Sequence, residues 1–584
     1  MTDSSQQRLR KLAGYLRPHW RPAFLGIVAL FLVNGLGVYI PLLVSQAIDD
    51  LEVATQFYAF LYDVVAIALL ASLMWVMRMA SRIWIFGVGR QVEFDLKQKI
   101  FNHLLTLEPS YYSNNTVGDL INRATSDVDN IRRLLGFAVL SLANTIFAYG
   151  LTLPVMLYIN TRLSLLAISV YPLMLIIVQL FSDKLRGQQL GVQEELSTMS
   201  DLIQEDLSGI SLIKIYAQEE NEKRAFRETN KHLLSANLAL AKTRNFLFPL
   251  LGGLASLSFL ILLISASGPM ENGELSVGDF VSLIIYVQRL VFPTALLGFT
   301  ITTYQRGEVS IDRVESILGA EAKIQDHIDP IPMRSPLKGW VVARNLTYKY
   351  QGAKVPALNK VNFTIKPGET VSIVGAIGSG KSTLANALPR LLEIDIDQIF
   401  IDGYDITQVK LAELRRAIAY VPQESFLFSA TIKENISYGD PTKTEEEIVN
   451  AAKLAQIHPE ILNFPQKYET IVGERGITLS GGQRQRTALA RALLMDGPVL
   501  ILDDALSSVD NQTATDILRN LSTGTQKKTV IFITHQMSAA AMADRILVME
   551  SGCIVQTGTH EELVNEKGLY QSLWNQQKLE AMLL

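Results

Sequence analysis

Eight consecutive residues, Gly375, Ala376, Ile377, Gly378, Ser379, Gly380, Lys381 and Ser382, carry the plainest chemistry in this chain of 584 residues. A Gly-x4-Gly-Lys-Ser run wraps backbone N–H groups around a row of phosphates, adds the lysine as a point charge and turns the serine hydroxyl towards Mg²⁺. Farther along, Leu479, Ser480, Gly481, Gly482 and Gln483 stand in front of a helix-favouring stretch that continues to Leu493. A serine and two glycines there make a second helix N-terminus, where unpaired N–H groups and the helix dipole can hold another anion.

The run Glu369 to Val374 reads as a strand feeding the first site, and a helix is expected to start at Lys381; a phosphate loop needs this strand–loop–helix setting. From Trp340 onwards short β-branched runs alternate with helical ones, which predicts a parallel sheet covered on both faces. There is one phosphate loop and no internal repeat. The length calls for more than one domain. A mean hydropathy of +0.21 with 19% charged residues is too apolar for an ordinary soluble enzyme, so part of the chain is expected in lipid. The net charge of −4 carries no polybasic signature, and nucleic acid is not an expected partner. A single cysteine, Cys553, excludes an intrachain disulfide framework and a cysteine-cluster metal site.

Six apolar stretches, at about 22–47, 57–83, 135–159, 161–182, 246–268 and 278–303, each reach the roughly 20 residues that cross a bilayer core of about 30 Å. Arg8, Arg10, Lys11, Arg17 and Arg21 precede the first, and no Lys or Arg follows until Arg78. The N-terminus is therefore expected in the cytoplasm, and the loop with Asp49, Asp50 and Glu52 outside. The stretch near Glu271 and Glu274 is external by the same rule, as is the turn Asn160-Thr161-Arg162, with one basic exception. Met1 to Arg21 is polar and lacks a small-residue cleavage site, so a removed signal peptide is not expected. Roughly 50–60 polar, helix-favouring residues separate spans two and three, and again four and five, which predicts helices continuing into the cytoplasm. Within the spans, Asn34, Gln179, Gln288 and Arg289 fit either a substrate path or interhelical hydrogen bonds, and Arg78 and Arg82 fit a place near an interface. Gln288 and Arg289 in the sixth span are the candidates for the path.

The phosphate loop followed by Leu479-Ser480-Gly481-Gly482-Gln483 resembles the ATP-binding cassette (ABC) superfamily, whose signature is LSGGQ, and the resemblance covers nearly the whole chain. It implies that ATP is buried between the phosphate loop of one cassette and the signature of another, so that this chain supplies half of a two-site machine. Gly375 to Ser382 and Thr383 would bind the phosphates. Tyr350, in Tyr348-Lys349-Tyr350, is similar to the aromatic that stacks on adenine. Gln423, in Val421-Pro422-Gln423-Glu424, resembles the glutamine that reaches Mg²⁺ and the attacking water. Asp503, ending the run Val499-Leu500-Ile501-Leu502, resembles the Walker B aspartate, a Mg²⁺ ligand with Ser382 and Gln423. Ser507-Ser508-Val509-Asp510 looks like the loop that communicates between the two sites, and His535 like the switch histidine at the γ-phosphate. The stretches Pro109 to Leu120 and Gly209 to Glu219 look like exporter intracellular segments, with coupling helices expected near 113–120 and 216–224. One position departs from the pattern: the general base after the Walker B aspartate is normally glutamate, and here it is Asp504.

The expected fold is a membrane all-α six-helix transmembrane domain fused to a cytoplasmic α/β P-loop nucleotide-binding domain. Residues 1–21 form a cytoplasmic segment, 22–307 the transmembrane domain, 308–337 a linker and 338–584 the cassette. The resemblance implies an ATP- and Mg²⁺-dependent half-transporter in the cell membrane. It would export a hydrophobic or amphipathic drug, lipid or peptide with a second, different half-transporter; the catalytic set would be Asp504, His535 and Gln423. An importer of a metal chelate, an ATP-gated channel and a regulator are the alternatives within the same fold. Labelling tests the topology. In a protein with Cys553 replaced, Asp50→Cys and Asn272→Cys should react with an impermeant maleimide on intact cells, whereas Asn115→Cys should not; reaction at Asn115 would overturn the six-span assignment.

Overall fold

The computed structural model describes residues 2–52, 57–523 and 527–583. By its contacts the chain divides into two compact units, Met1–Leu105 with Thr116–Ala320, and Thr106–Asn115 with Glu321–Leu584. Its helices up to Ala320 are α1 (Thr2–Leu16), α2 (Trp20–Glu52), α3 (Phe57–Leu104), α4 (Pro109–Asn114), α5 (Val117–Ile159), α6 (Thr161–Ser208), α7 (Ile210–Ile215), α8 (Glu219–Glu271) and α9 (Val277–Leu318). Among the described residues six helices, in the expected order, are long and apolar enough to cross a membrane. Leu69, Trp75 and Ile83 of α3 point outward, as suits a face turned to lipid.

Polar groups hold α2 and α9 together along an antiparallel seam. The Gly278 N–H donates to Asp49 Oδ1 at 2.8 Å, Ser45 Oγ to Asp279 Oδ1 at 3.1 Å, Ser282 Oγ to the Pro41 carbonyl at 2.6 Å and Tyr286 O–H to the Val38 carbonyl at 2.6 Å. Arg289 Nη2 completes the series on Asn34 Oδ1 at 3.1 Å. Along α2 each step advances three or four residues, and along α9 so does each step from Asp279 onward, which is one helical turn, so the bonds lie on a single face of each. Gly278 lets the backbones meet: a Cβ there would lie 2.2 Å from the Ser45 carbonyl oxygen. Small residues at close helix crossings and side chains capping carbonyls are what a bilayer demands, because no water is present to satisfy them.

α9 runs to Leu318, past the expected end of the membrane domain at 307, because Ile311, Val314 and Ile317 continue its buried stripe. The linker's first residues are therefore helical. On that extension, Ser310 and Arg313 meet the buried Asp127 at 2.8 and 3.3 Å, and Arg313 also meets Asp119 at 2.6 Å. The short helices fall earlier than expected. α4 opens on Pro109, whose fixed φ suits a first helical position, and α7 ends where Ala217 turns left-handed at φ +51°. The stretch 113–120 instead holds the end of α4 and the start of α5, and 216–224 the turn after α7 and the start of α8. The segment Thr106–Asn115, with α4, packs in the second unit, where Glu108 accepts from the Lys323 N–H at 3.3 Å.

The second unit contains two sheets. β1 (Val341–Tyr348), β2 (Leu358–Ile365), β4 (Ile399–Ile401) and β5 (Tyr404–Asp405) form an antiparallel sheet in the order β2-β1-β4-β5. β3 (Thr370–Gly375), β6 (Ile418–Val421), β7 (Val499–Asp503), β8 (Thr529–Ile533), β9 (Arg545–Glu550) and β10 (Cys553–Gly558) form the other in the order β10-β9-β3-β8-β7-β6. It is parallel except for β10, as expected for the strands around the phosphate loop. Its strands are apolar on both faces. Ile373, Ile501 and Ile531 pack towards the antiparallel sheet, while Val374, Leu500 and Phe532 pack into the helical side. Unfolding in detergent tests the α2–α9 seam. Ser282→Ala removes one bond worth about 0.6 kcal/mol and should melt close to the parent, whereas Gly278→Val must separate the helices and should melt well below it; equal melting would remove the seam's role.

Candidate nucleotide site

The parallel register decides which loops meet. β8 lies between β3 and β7, pairing Ile533 with Ile373 on one side and with Asp503 on the other. The carboxyl ends of these strands thus bring the phosphate loop, Asp503 with Asp504, and Thr534 with His535 to one edge, where α/β sheets place their ligands. Helix α10 (Lys381–Ala387) starts directly after the loop, with Gly380 at φ +99° as its N-cap, a conformation glycine adopts without strain.

Within this edge the side chains of the loop are held against its own backbone. Lys381 Nζ donates to the carbonyls of Gly375 and Ala376 at 2.9 and 2.8 Å and approaches Ser379 Oγ at 3.4 Å. Burial pushes the lysine's pKa down, against the pull of Asp503 and Asp504, so a phosphate would restore a counter-charge its surroundings only partly provide. Ala376, Ile377 and Gly378 are exposed, whereas Ser379 and Thr383 are buried and fix the base of the loop. Ser382 Oγ donates to Asp503 Oδ1 at 3.0 Å. Asp503 is itself buried, and that burial holds its carboxyl above the usual range; the Ser382 bond opposes this and Asp504 adds to it. A hydroxyl and a strained carboxylate side by side fit Mg²⁺, which takes hard oxygen ligands. Among the described residues no cluster of three His, Cys, Asp or Glu could hold a metal without a ligand's help.

Asp504 sits in a left-handed conformation at φ +50°, its N–H bonded to the Ile533 carbonyl at 3.0 Å. Aspartate is among the few residues that tolerate this region. Its Oδ1 lies 2.9 Å from His535 Nδ1, so the two form a pair at the end of β7 and β8. Tyr350 is exposed just beyond β1, its ring edge-on to Tyr348 at 5.0 Å and its hydroxyl 3.3 Å from Thr383 Oγ1. Gln423 is exposed and makes no hydrogen bond to Ser382 or Asp503. It lines a cavity of about 350 Å³ with Gly481, Arg484, Gln485 and Ser508.

The signature lies at the start of helix α11 (Gly481–Leu494). Ser480 Oγ accepts from the Gln483 N–H at 3.2 Å, and Gln483 Oε1 accepts from the Ser480 N–H at 2.9 Å, a reciprocal cap that fixes the first turn. Leu479 is buried as its anchor. No hydrogen bond or ion pair links Leu479–Gln483 to the phosphate loop among the described residues. Sequence reasoning missed Gln485. Buried on α11, it donates to Ser507 Oγ at 2.9 Å and accepts from the Ser508 N–H at 2.8 Å, tying the signature helix to the loop after Asp504. Its position two residues after Gln483 looks like solvent-facing polarity, and only packing reveals the burial. Of the path candidates, Arg289 meets Asn34, while Gln288 and Gln179 are exposed elsewhere.

Residues 23–294 match the family described as the ABC transporter transmembrane region, and residues 358–507 match the ABC transporter family. The chain is 34% identical over 98% of both chains to the "Probable multidrug resistance ABC transporter ATP-binding/permease protein YheI" of Bacillus subtilis (strain 168). It is 32% identical to the "Multidrug resistance-like ATP-binding protein MdlA" of Escherichia coli (strain K12), over 98% of this chain and 97% of that one. A solved bacterial Atm1-family ABC exporter with ATP bound superposes with a TM-score of 0.77 at 25% identity, covering 96% of this chain and 99% of the other. The lysine geometry sets a test. Removing a charge-assisted contact worth about 1.5–3 kcal/mol, Lys381→Ala should cut photolabelling of this chain by an azido-ATP analogue at least about tenfold; unchanged labelling would place the phosphates elsewhere.

Proposed function

The chain belongs to the ATP-binding cassette transporter family, and from that premise we propose that it is the half of a heterodimeric exporter whose own ATP site turns over slowly while its signature completes the partner's site. The activity itself, ATP-driven export by a multi-pass membrane protein with a cytoplasmic cassette, comes with the family. In this reading the backbone from Gly375 to Thr383 and Lys381 hold the phosphates, and Tyr350 stacks on adenine. Ser382 and Asp503, joined by Gln423, hold Mg²⁺, which neutralises charge on the phosphates when bound. His535 contacts the γ-phosphate. The membrane domain extends through Leu318, and α4 and α7 carry motion between it and the cassettes. ATP binding closes the two cassettes and hydrolysis reopens them. The exported molecule is hydrophobic or amphipathic; the multidrug names of the two relatives favour small drug-like compounds.

One observation carries the asymmetry: Asp504 spends its short reach on His535, at 2.9 Å, beside a signature helix that is fully capped. A carboxylate one methylene shorter than glutamate falls about 1 Å or more short of a water that needs a hydrogen bond of about 2.6–3.2 Å. A misplacement of that size costs on the order of 100-fold in rate. The left-handed backbone also suits aspartate better than glutamate, so the substitution and the local conformation agree.

The test is the steady-state ATPase rate of the purified complex. Ser480→Arg, which places a long side chain where a phosphate must approach, should remove most of the activity and of transport. Asp504→Asn should lower both far less, because that site already works slowly. Asp504→Glu should raise basal hydrolysis. If the chain alone forms an active homodimer that Asp504→Asn silences, aspartate is an adequate base and the heterodimer is lost.

A further inference from the structure

A cavity of about 570 Å³ opens among α2, α3, α5 and α9 in the membrane unit, a volume suited to one small organic molecule. Its charged lining is Arg78, Arg82 and Arg289, and no Asp or Glu faces it. Arg289 lies about 18 Å along α9 from its outer end, at membrane depth, and Arg78 and Arg82 lie about 32 and 38 Å along α3. Arg289 lines the cavity while its guanidinium packs against Gly37 of α2. A Cβ at Gly37 would fall 1.4 Å from its Nη1, so the glycine leaves the guanidinium its room. Its Nη2 donates to the Asn34 carbonyl at 3.2 Å and to Asn34 Oδ1 at 3.1 Å, while Asn34 Nδ2 donates to Asn144 Oδ1 at 3.1 Å.

These amides orient the cation without neutralising it. A guanidinium carries five N–H donors, and the two contacts to Asn34 come from Nη2, leaving Nε and Nη1 for a ligand. No ion pair reaches any of the three arginines among the described residues, and Arg78 makes a contact with Met74 Sδ at 3.7 Å. Of the three, Arg289 lies at membrane depth, where a cation is costly and is kept facing a cavity or paired with carbonyls such as that of Asn34. Phe86, Phe137 and Phe292 complete the lining with apolar surface for a hydrocarbon or aromatic body.

We infer that this cavity binds the acidic group of an amphipathic anion, and that molecules bearing a carboxylate, sulfonate or phosphate on an apolar body are the substrate class of this exporter. The direction of movement rests on the export reading above; the binding does not. An anion gains a charge-assisted hydrogen bond from Arg289 and the field of Arg78 and Arg82, while an organic cation of the same shape meets three like charges.

The test compares pyrenebutyrate with pyrenebutyltrimethylammonium, two probes with the same aromatic body. Their binding to the full-length transporter, assembled with its partner in phosphatidylcholine nanodiscs without nucleotide, is read by pyrene fluorescence anisotropy. The carboxylate should bind at least about tenfold tighter than the ammonium. Arg78→Gln/Arg82→Gln, which leaves the Arg289 bonds to Asn34 intact, should narrow that ratio severalfold, and Arg289→Gln should narrow it further while Arg289→Lys restores part of it. Competition by phosphatidylglycerol with the same arginine dependence would identify the anion as a lipid headgroup and leave the anion class standing. Equal or tighter binding of the ammonium, or a ratio unmoved in variants that melt like the parent, overturns the proposal. Binding that follows the arginines without ATP-dependent accumulation in inverted vesicles would instead count against export alone.

Discussion

Two groups of polar side chains and carbonyls are buried in this protein, and the contacts that satisfy them organise the rest. In the membrane unit the backbone carbonyls of Val38 and Pro41 and the side chains of Asn34, Ser45 and Asp49 would be expensive to leave alone in lipid, and each is answered by a residue of α9. Because an antiparallel helix pair presents such groups once per turn, the bonds set the register of α2 on α9. That register carries Arg289 to its place beside Asn34. In the second unit Asp503 is buried at the end of a strand, and its nearest relief is the Ser382 hydroxyl; the discomfort of that carboxylate is what makes the site receptive to a divalent cation.

The nucleotide edge depends on the order of strands in space rather than in the chain. β8 is made last among β3, β7 and β8, yet it lies between the other two. Hydrogen bonding to both neighbours aligns the ends of three strands, so that a lysine, two aspartates and a histidine from distant segments share one surface. The apolar character of both faces of these strands, with Ile373 and Val374 buried on opposite sides, makes the alignment stiff.

At Asp504 one methylene decides which group the carboxylate can touch. A glutamate would reach past the histidine towards water; the aspartate is close enough to His535 to bond it directly and its backbone is in the region aspartate tolerates. The loop that follows is fastened by Gln485 to the signature helix of the same chain. The signature helix and the loop after Asp504 are thereby joined within one cassette through Ser507 and Ser508.

Six spans, a phosphate loop in its strand–loop–helix setting and the signature helix were legible in the sequence because each is local: length and apolarity suffice for a span, and glycine spacing for a loop. The aspartate at 504 was legible for the same reason. Other features were not. The helical run of α9 past residue 307 depends on Ile311, Val314 and Ile317 finding a surface to bury against, and the early positions of α4 and α7 depend on where the chain turns. The antiparallel sheet of β1, β2, β4 and β5 was unread because its order depends on β1 pairing with the distant β4 as well as with its sequence neighbour β2. Gln288 and Arg289 looked alike as neighbours on one span, but successive helical residues point about 100° apart, so Arg289 reaches the cavity and Gln288 does not. Local sequence thus determined the parts and their chemistry; which distant side chains meet, Asp504 with His535, Gln485 with Ser508 and Arg289 with Asn34, was decided by tertiary packing, because those contacts exist only after the fold has brought distant segments together.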